Sequence, residues 1–190
     1  MTVELHRDDL PPGRIFGNAV AIDTETLGLN PYRDRLCLVQ LRRHYEAPEL
    51  KRLLADQSVL KIFHYARFDM AVLKHSLGVM PWPVYCTKIA SRLARTFTDR
   101  HGLKDLAKEL LGIELSKQQQ SSDWGADQLT QEQLNYAASD VLYLHALREK
   151  LEAMLVREGR QDLAQACFAF LPTRVELDLN GWSDLDPFAH

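Results

Sequence analysis

The chain has 190 residues, 46% of them hydrophobic and 26% charged, with a formal net charge of −3. That length suits one domain with a substantial core, since domains usually span roughly 100–200 residues. The charge excludes a broadly basic, nucleic-acid-coating surface, and no apolar run approaches the roughly 18 residues of a bilayer span.

The N-terminal stretch "MTVELHRDDLPPG" is polar and has no apolar h-region, so the sequence predicts no signal peptide. Three short apolar runs read as strands: "NAVAID" (18–23), "RLCLVQL" (35–41) and "LKIFHY" (60–65). The turn-rich "GLNPYRD" between the first two suits a hairpin connection. A short helix is expected from about Pro48 to Ala55. Another runs from Phe68 to Leu77 and ends at Gly78, a natural C-cap. "CTKIASRLAR" and "GLKDLAKELLG" read as two more helices, the second closing at Gly112.

Thr130 with Gln133 fits a capping box, and the run from there to about Arg157 contains neither Gly nor Pro, which predicts one long helix. A last helix is expected from about Asp162 to Phe170, stopping before Pro172. The tail "RVELDLNGWSDLDPFAH" covers an edge or reaches a neighbour; the sequence leaves both open. Cys37, Cys86 and Cys167 are odd in number and form no CxxC pair, so they read as reduced thiols of a cytoplasmic protein, neither a disulfide framework nor a zinc site. Early strands followed mainly by helices predict an α/β fold, a mixed central β-sheet flanked by α-helices.

One stretch departs from this ordinary pattern. In "VAIDTETLGLN" an apolar run is broken by Asp23 and Glu25. Strand side chains alternate with period two, so both carboxylates point to one side. At about 4 Å and an effective dielectric of about 20, their repulsion costs on the order of 4 kcal/mol. A shared proton, a basic partner or a metal must offset it.

Further acids stand in comparable settings. Asp69 follows a strand in "HYARFDMAVL", and alone it reads as a cap or turn residue. Asp140 in "YAASDVLYL" has Tyr136 four residues before it, on the same helix face. Alone, Tyr136 is a packed aromatic and Asp140 an ordinary polar position. Acids among core-forming residues are nevertheless costly unless compensated.

Together, "DTET", "HYARFD" and "YAASD" resemble the three exonuclease motifs of the DEDD superfamily in its tyrosine-bearing branch, DEDDy. The context "SKQQQSSDWGADQLTQEQLNYAASDVLYL" is similar to RNase D, so the resemblance covers about residues 18–150, with a C-terminal helix and tail at 151–190. "CTKIASRLARTFTDRHGLK", "KQQQSSDW" and "CFAFLPTR" extend it to the compact nanoRNase group of this branch, without the C-terminal helical domains of RNase D. The resemblance implies an RNase H-like exonuclease fold in a single domain over residues 1–190. It also implies 3′→5′ hydrolysis of very short RNA, especially dinucleotides, and a ring-shaped homo-octamer.

By that match, Asp23, Glu25, Asp69 and Asp140 bind two divalent ions, Mg²⁺ or Mn²⁺, which suit oxygen ligands. Tyr136 orients the attacking water, because a phenol with a pKa near 10 is a poor base at neutral pH. Leu27 stands where relatives wedge an apolar side chain between terminal bases, with Thr26 beside it near the terminal sugar.

Remaining site candidates are weaker. Lys117 and Gln120 lie on a polar loop and are candidates for phosphate. Arg100, His101 and Lys104, in the densest cationic stretch, compete between a free 5′ phosphate, an interface and plain solvation. His64 lines the pocket or packs as a core histidine, and His145 receives no role. A DNA 3′→5′ exonuclease on single strands is the second reading, and a non-catalytic nucleic-acid-binding module the third. Neither GxxxxGK[ST] nor GxGxxG is present, which disfavours a kinase or dehydrogenase.

Overall fold

The computed structural model describes residues 3–39, 47–116, 118–119, 122–185 and 187–189. Three strands form a parallel sheet in the order β1–β4–β5: β1 (Ala19–Ala21), β4 (Leu60–Phe63) and β5 (Val84–Cys86). Register pairs Val20 with Lys61 and Ile62 with Tyr85. A separate antiparallel ribbon joins β2 (Glu25–Thr26) to β3 (Leu36–Leu38), Glu25 opposite Leu38. The hairpin expected at "GLNPYRD" therefore exists, but its first arm is β2, not the run 18–23. That run instead pairs parallel with β4. Residues 40–41, the end of the second expected strand, lie outside the described residues.

The helices are α1 (Pro48–Ala55), α2 (Ala66–Leu77), α3 (Thr87–Ala94), α4 (Leu103–Leu106), α5 (Gln131–Leu142), α6 (Leu144–Arg157) and α7 (Gln161–Leu177). α4 widens into a π turn, Ala107–Leu111, before Gly112 closes it at φ 70°. Asp9, from the N-terminal arm, caps α1 by accepting from the amides of Glu49 and Leu50 at 2.9 and 3.0 Å.

The core lies between the parallel sheet and the C-terminal helices. α6 buries Leu144, Leu147, Leu151 and Leu155, one stripe at helical spacing, against α3 and β4. α7 buries Ala164, Phe168, Leu171 and Val175 against α2 and β5. This second stripe explains why α7 runs through Pro172. An interior proline costs about 3 kcal/mol, but Leu171 and Val175 each return about 1.5–3 kcal/mol on burial. The expected helix from Thr130 also differs, breaking at Tyr143 (φ −103°, ψ −2°) into α5 and α6.

After α7 the chain turns through Asp178–Trp182, leaving helical geometry at Asn180 and Gly181. Asp178 accepts from Arg67 Nε and Nη2 at 2.5 and 2.7 Å and forms an ion pair with Arg174 at 2.8 Å. Arg67 sits in the first turn of α2, two residues before Asp69, so this cluster ties the C-terminal turn to the helix that bears a candidate acid. Asp178→Ala leaves two part-buried guanidinium groups without a counter-charge, bonded only to backbone carbonyls. The expected loss is about 1–3 kcal/mol, discounted for the exposure of Arg67. It should read as a fall of roughly 3–10 °C in melting temperature by calorimetry; an unchanged transition would contradict the assignment.

Candidate active site

Each candidate acid is delivered by a different piece of backbone. Asp23 follows the end of β1, Glu25 opens β2, Asp69 lies in the first turn of α2, and Asp140 lies on α5. The Thr130 capping box sets the start of α5: Thr130 Oγ1 accepts from the Gln133 amide at 3.2 Å, and Gln133 Oε1 accepts from the Thr130 amide at 2.8 Å. Entry to α2 uses Tyr65 in the left-handed region (φ 72°, ψ 41°), so the chain turns sharply between β4 and α2.

Asp23, Glu25 and Asp140 converge, with one carboxyl oxygen from each within 4.8 Å of the others. Asp69 lines the same cavity of about 320 Å³. It is almost fully buried, and its Oδ1 accepts from the Thr24 amide (3.1 Å) and hydroxyl (2.7 Å). Thr24 lies between Asp23 and Glu25 and turns inward, which fixes the Asp69 rotamer.

Burial pushes every one of these carboxyls up, and repulsion adds to it at Asp23, Glu25 and Asp69. Asp140 rises to about 6, by burial. Asp23 rises to about 7, by burial and then Asp140. Glu25 rises to about 8, by burial and then Asp23 and Asp140. Asp69 is raised well above the carboxylate range by burial and then Asp23. Of the three ways to offset the repulsion, a basic partner is missing: no Lys or Arg forms an ion pair with these four acids among the described residues. Protons or a cation remain, and clustered hard oxygen donors fit a divalent ion such as Mg²⁺.

Tyr136 faces the same cavity. Its hydroxyl lies beside Asp140, and burial followed by the Asp140 and Glu25 charges holds it well above the ordinary phenol range. His64 lines the cavity too, and burial with the Lys88 charge pulls it down to about 4, so it is neutral. His64 Nδ1 lies 2.9 Å from Thr87 Oγ1, whose proton is committed to the Phe63 carbonyl at 3.2 Å. The tautomer protonated at Nδ1 satisfies both bonds and leaves Nε2 as an acceptor.

The other sequence candidates divide. Lys104 lines the cavity; Arg100, His101, Thr26 and Leu27 do not. His101 is bonded to Ser91 Oγ at 2.8 Å. In the cationic stretch Arg95 is buried, pairs with Glu109 and donates to the Arg100 carbonyl at 2.9 Å, so it is part of the scaffold. Thr26 Oγ1 donates to the Gly28 carbonyl, and Leu27 is exposed. Lys117 and Gln120 lie outside the described residues. His145 is absent from the cavity lining.

Sequence reasoning missed Lys88. It lines the cavity, has no ion pair among the described residues, and rests 4.1 Å from the centre of the Tyr65 ring. Its signal was available only with β5 in view, because Lys88 stands two residues after that strand, in the first turn of α3.

A family model for 3′–5′ exonucleases matches residues 14–156. Ribonuclease D of Gluconacetobacter diazotrophicus is 36% identical over 164 residues, covering 80% of this chain and 42% of that protein. The chain thus spans less than half the length of that curated relative. The solved structure of Brucella melitensis NrnC bound to pGG is 57% identical, with a TM-score of 0.95 over 100% of this chain and 99% of that one. NrnC of Brucella melitensis with bound Mg²⁺ is 55% identical, with a TM-score of 0.93 over 100% of both chains.

The chain belongs to the 3′–5′ exonuclease family, as an RNase D-like DEDD exonuclease. Over its whole length it resembles nanoRNase C. Among the described residues no helix is long and apolar enough to cross a membrane.

Proposed function

We propose that residues 1–190 act as one domain, a metal-dependent 3′→5′ exoribonuclease. Its substrates are very short RNAs, dinucleotides above all, and its products nucleoside 5′-monophosphates. The observation that carries this reading is the convergence of Asp23, Glu25 and Asp140 beside buried Asp69 in one cavity. These four would hold two divalent ions. When bound, Mg²⁺ or Mn²⁺ would supply Lewis acidity and charge neutralisation at the scissile phosphate.

The chain's own residues then have distinct tasks. Tyr136 stays protonated, and its hydroxyl, aligned by Asp140, orients the incoming water. Thr24 holds Asp69 in place. His64, neutral with Nε2 free to accept, binds a ribose hydroxyl. Lys88 and Lys104 offer cations to a phosphate, which deepens the earlier assignment of Lys104. Leu27 and Thr26 contact the terminal base and sugar. The Brucella relative captured with pGG supports a dinucleotide-sized substrate. Free thiols at Cys37, Cys86 and Cys167 support a cytoplasmic setting. The proposed assembly is a homo-octamer, on the likeness to compact nanoRNases, and light scattering reads it directly.

The test is a length series. End-labelled RNA and DNA of two to twenty nucleotides are incubated with Mg²⁺, Mn²⁺ or EDTA. The dinucleotide should turn over at least about 10-fold faster than the longest RNA, a difference of about 1.4 kcal/mol in barrier. Equal rates at all lengths would reject the length preference, and equal rates on DNA would favour the single-strand DNA reading.

A further inference from the structure

The stretch Ser122–Gly125 lies outside the lining of the catalytic cavity, yet it touches two parts of the site. Trp124, only 2% exposed, sets its ring 6.0 Å from that of Tyr136, tilted by 40°. On the other side, a Cβ built at Gly125 would stand 3.0 Å from Leu27 Cδ2 and 3.1 Å from Arg35 Nη2. The loop therefore lies close against the ribbon that presents Leu27, and a side chain at 125 would displace the tips of Leu27 and Arg35.

Gln133 fastens this loop to α5. Its Nε2 donates to Ser122 Oγ at 2.8 Å and to the Asp123 carbonyl at 3.1 Å, while its Oε1 serves the capping box. The Trp124 indole N–H is buried without a partner among the described residues. A buried unpaired donor is costly, so the ring is kept here by its packing and not by a polar bond.

We propose that Trp124 is a positioning residue for Tyr136, with Gln133 as the latch that keeps Trp124 in place. A tyrosine on a helix can rotate about χ1 and χ2, and its hydroxyl sweeps an arc of several ångströms. Trp124 closes one flank of that arc, so the Tyr136 hydroxyl is held toward Asp140. The proposal rests on the exonuclease reading, in which that hydroxyl orients water. Leu27, on the far side of the same loop, is set by the same latch.

A double-mutant cycle tests it, with a 5′-phosphorylated diribonucleotide and Mg²⁺ as probes. Trp124→Leu should lower kcat about 5- to 50-fold, as misplacement of a reacting group does, with KM and Mg²⁺ affinity within about 2-fold. In a Tyr136→Phe background the same change should cost less than about 2-fold, because contacting residues that act as a unit are not additive. Trp124→Phe, which keeps an aromatic face, should recover most of kcat. Gln133→Glu retains the capping acceptor but loses the donation to Ser122 and Asp123, and should reproduce the Trp124→Leu loss.

Equal losses in both backgrounds, or wild-type kcat in Trp124→Leu, would overturn the proposal. Should Trp124→Leu not fold, the cycle of Gln133→Glu with Tyr136→Phe decides by the same criterion. Wild-type turnover in Tyr136→Phe alone would remove the exonuclease role of that tyrosine first, and the positioning role with it.

Discussion

Asp140→Asn is expected to raise the melting temperature of the metal-free protein and to abolish turnover. The two effects share one cause. Without a cation, Asp140 adds to the burial that already lifts Asp23 to about 7 and Glu25 to about 8. The folded, metal-free state keeps protons on these groups that the unfolded chain releases near the ordinary carboxylate range, about 4. Folding thus binds protons between about pH 4 and pH 8. Stability is full below the unfolded pKa and falls as pH rises through 6, 7 and 8, the folded values of Asp140, Asp23 and Glu25.

Removing one charge should therefore stabilise the EDTA-treated protein most at pH 8, by about 1–3 kcal/mol. That corresponds to roughly 3–10 °C. Below about pH 4 the carboxyls are protonated in the folded and unfolded chain alike, and the gain should shrink toward zero. Turnover with Mg²⁺ should drop at least about 10³-fold, near 4 kcal/mol of transition-state stabilisation. A lower melting temperature for Asp140→Asn in EDTA at pH 8 would contradict the electrostatic account.

Tyr136→Phe should separate chemistry from cation binding. The hydroxyl is held protonated by burial and by the Asp140 and Glu25 charges, so it acts as a donor and not as a base. Its loss should cost about 10²-fold in kcat, the scale on which one positioned donor acts, with little change in KM. Mg²⁺ affinity by calorimetry should remain within a few-fold at pH 8. A smaller effect has a definite sign: the Tyr136 hydrogen bond holds Asp140 down, so its removal raises Asp140 further and moves the acid limb of the pH–rate profile upward. Wild-type kcat, or loss of Mg²⁺ binding in parallel with kcat, would remove Tyr136 from the proposed role.

The acids were legible because each sits where an ordinary residue would be apolar. Asp23 and Glu25 interrupt a strand's continuation, and Tyr136 with Asp140 share one face of a capped helix. Their convergence was not legible from spacing, because β1, β2, α2 and α5 meet only through tertiary packing. Resemblance supplied that step. β5 was missed because "VYC" is three residues long, fully buried and without alternation. It shows itself only beside β4, and with it went Lys88.

The break at Tyr143 has no sequence mark, since neither Gly nor Pro stands there. Pro172 misled in the opposite direction, as burial of Leu171 and Val175 outweighs its cost. The cationic stretch also held a feature that its sequence does not show. Charge density along the chain did not reveal that Arg95 turns inward to Glu109 and the Arg100 carbonyl.

The central claim is that four carboxyls, costly to gather, form a cavity whose hydrolytic work depends on a divalent cation. Cleavage of a 5′-labelled diribonucleotide, followed first in EDTA and then after Mg²⁺ is restored, reads this most directly. The expected result is no product in EDTA and full turnover on restoring the ion. Undiminished cleavage in EDTA would contradict it.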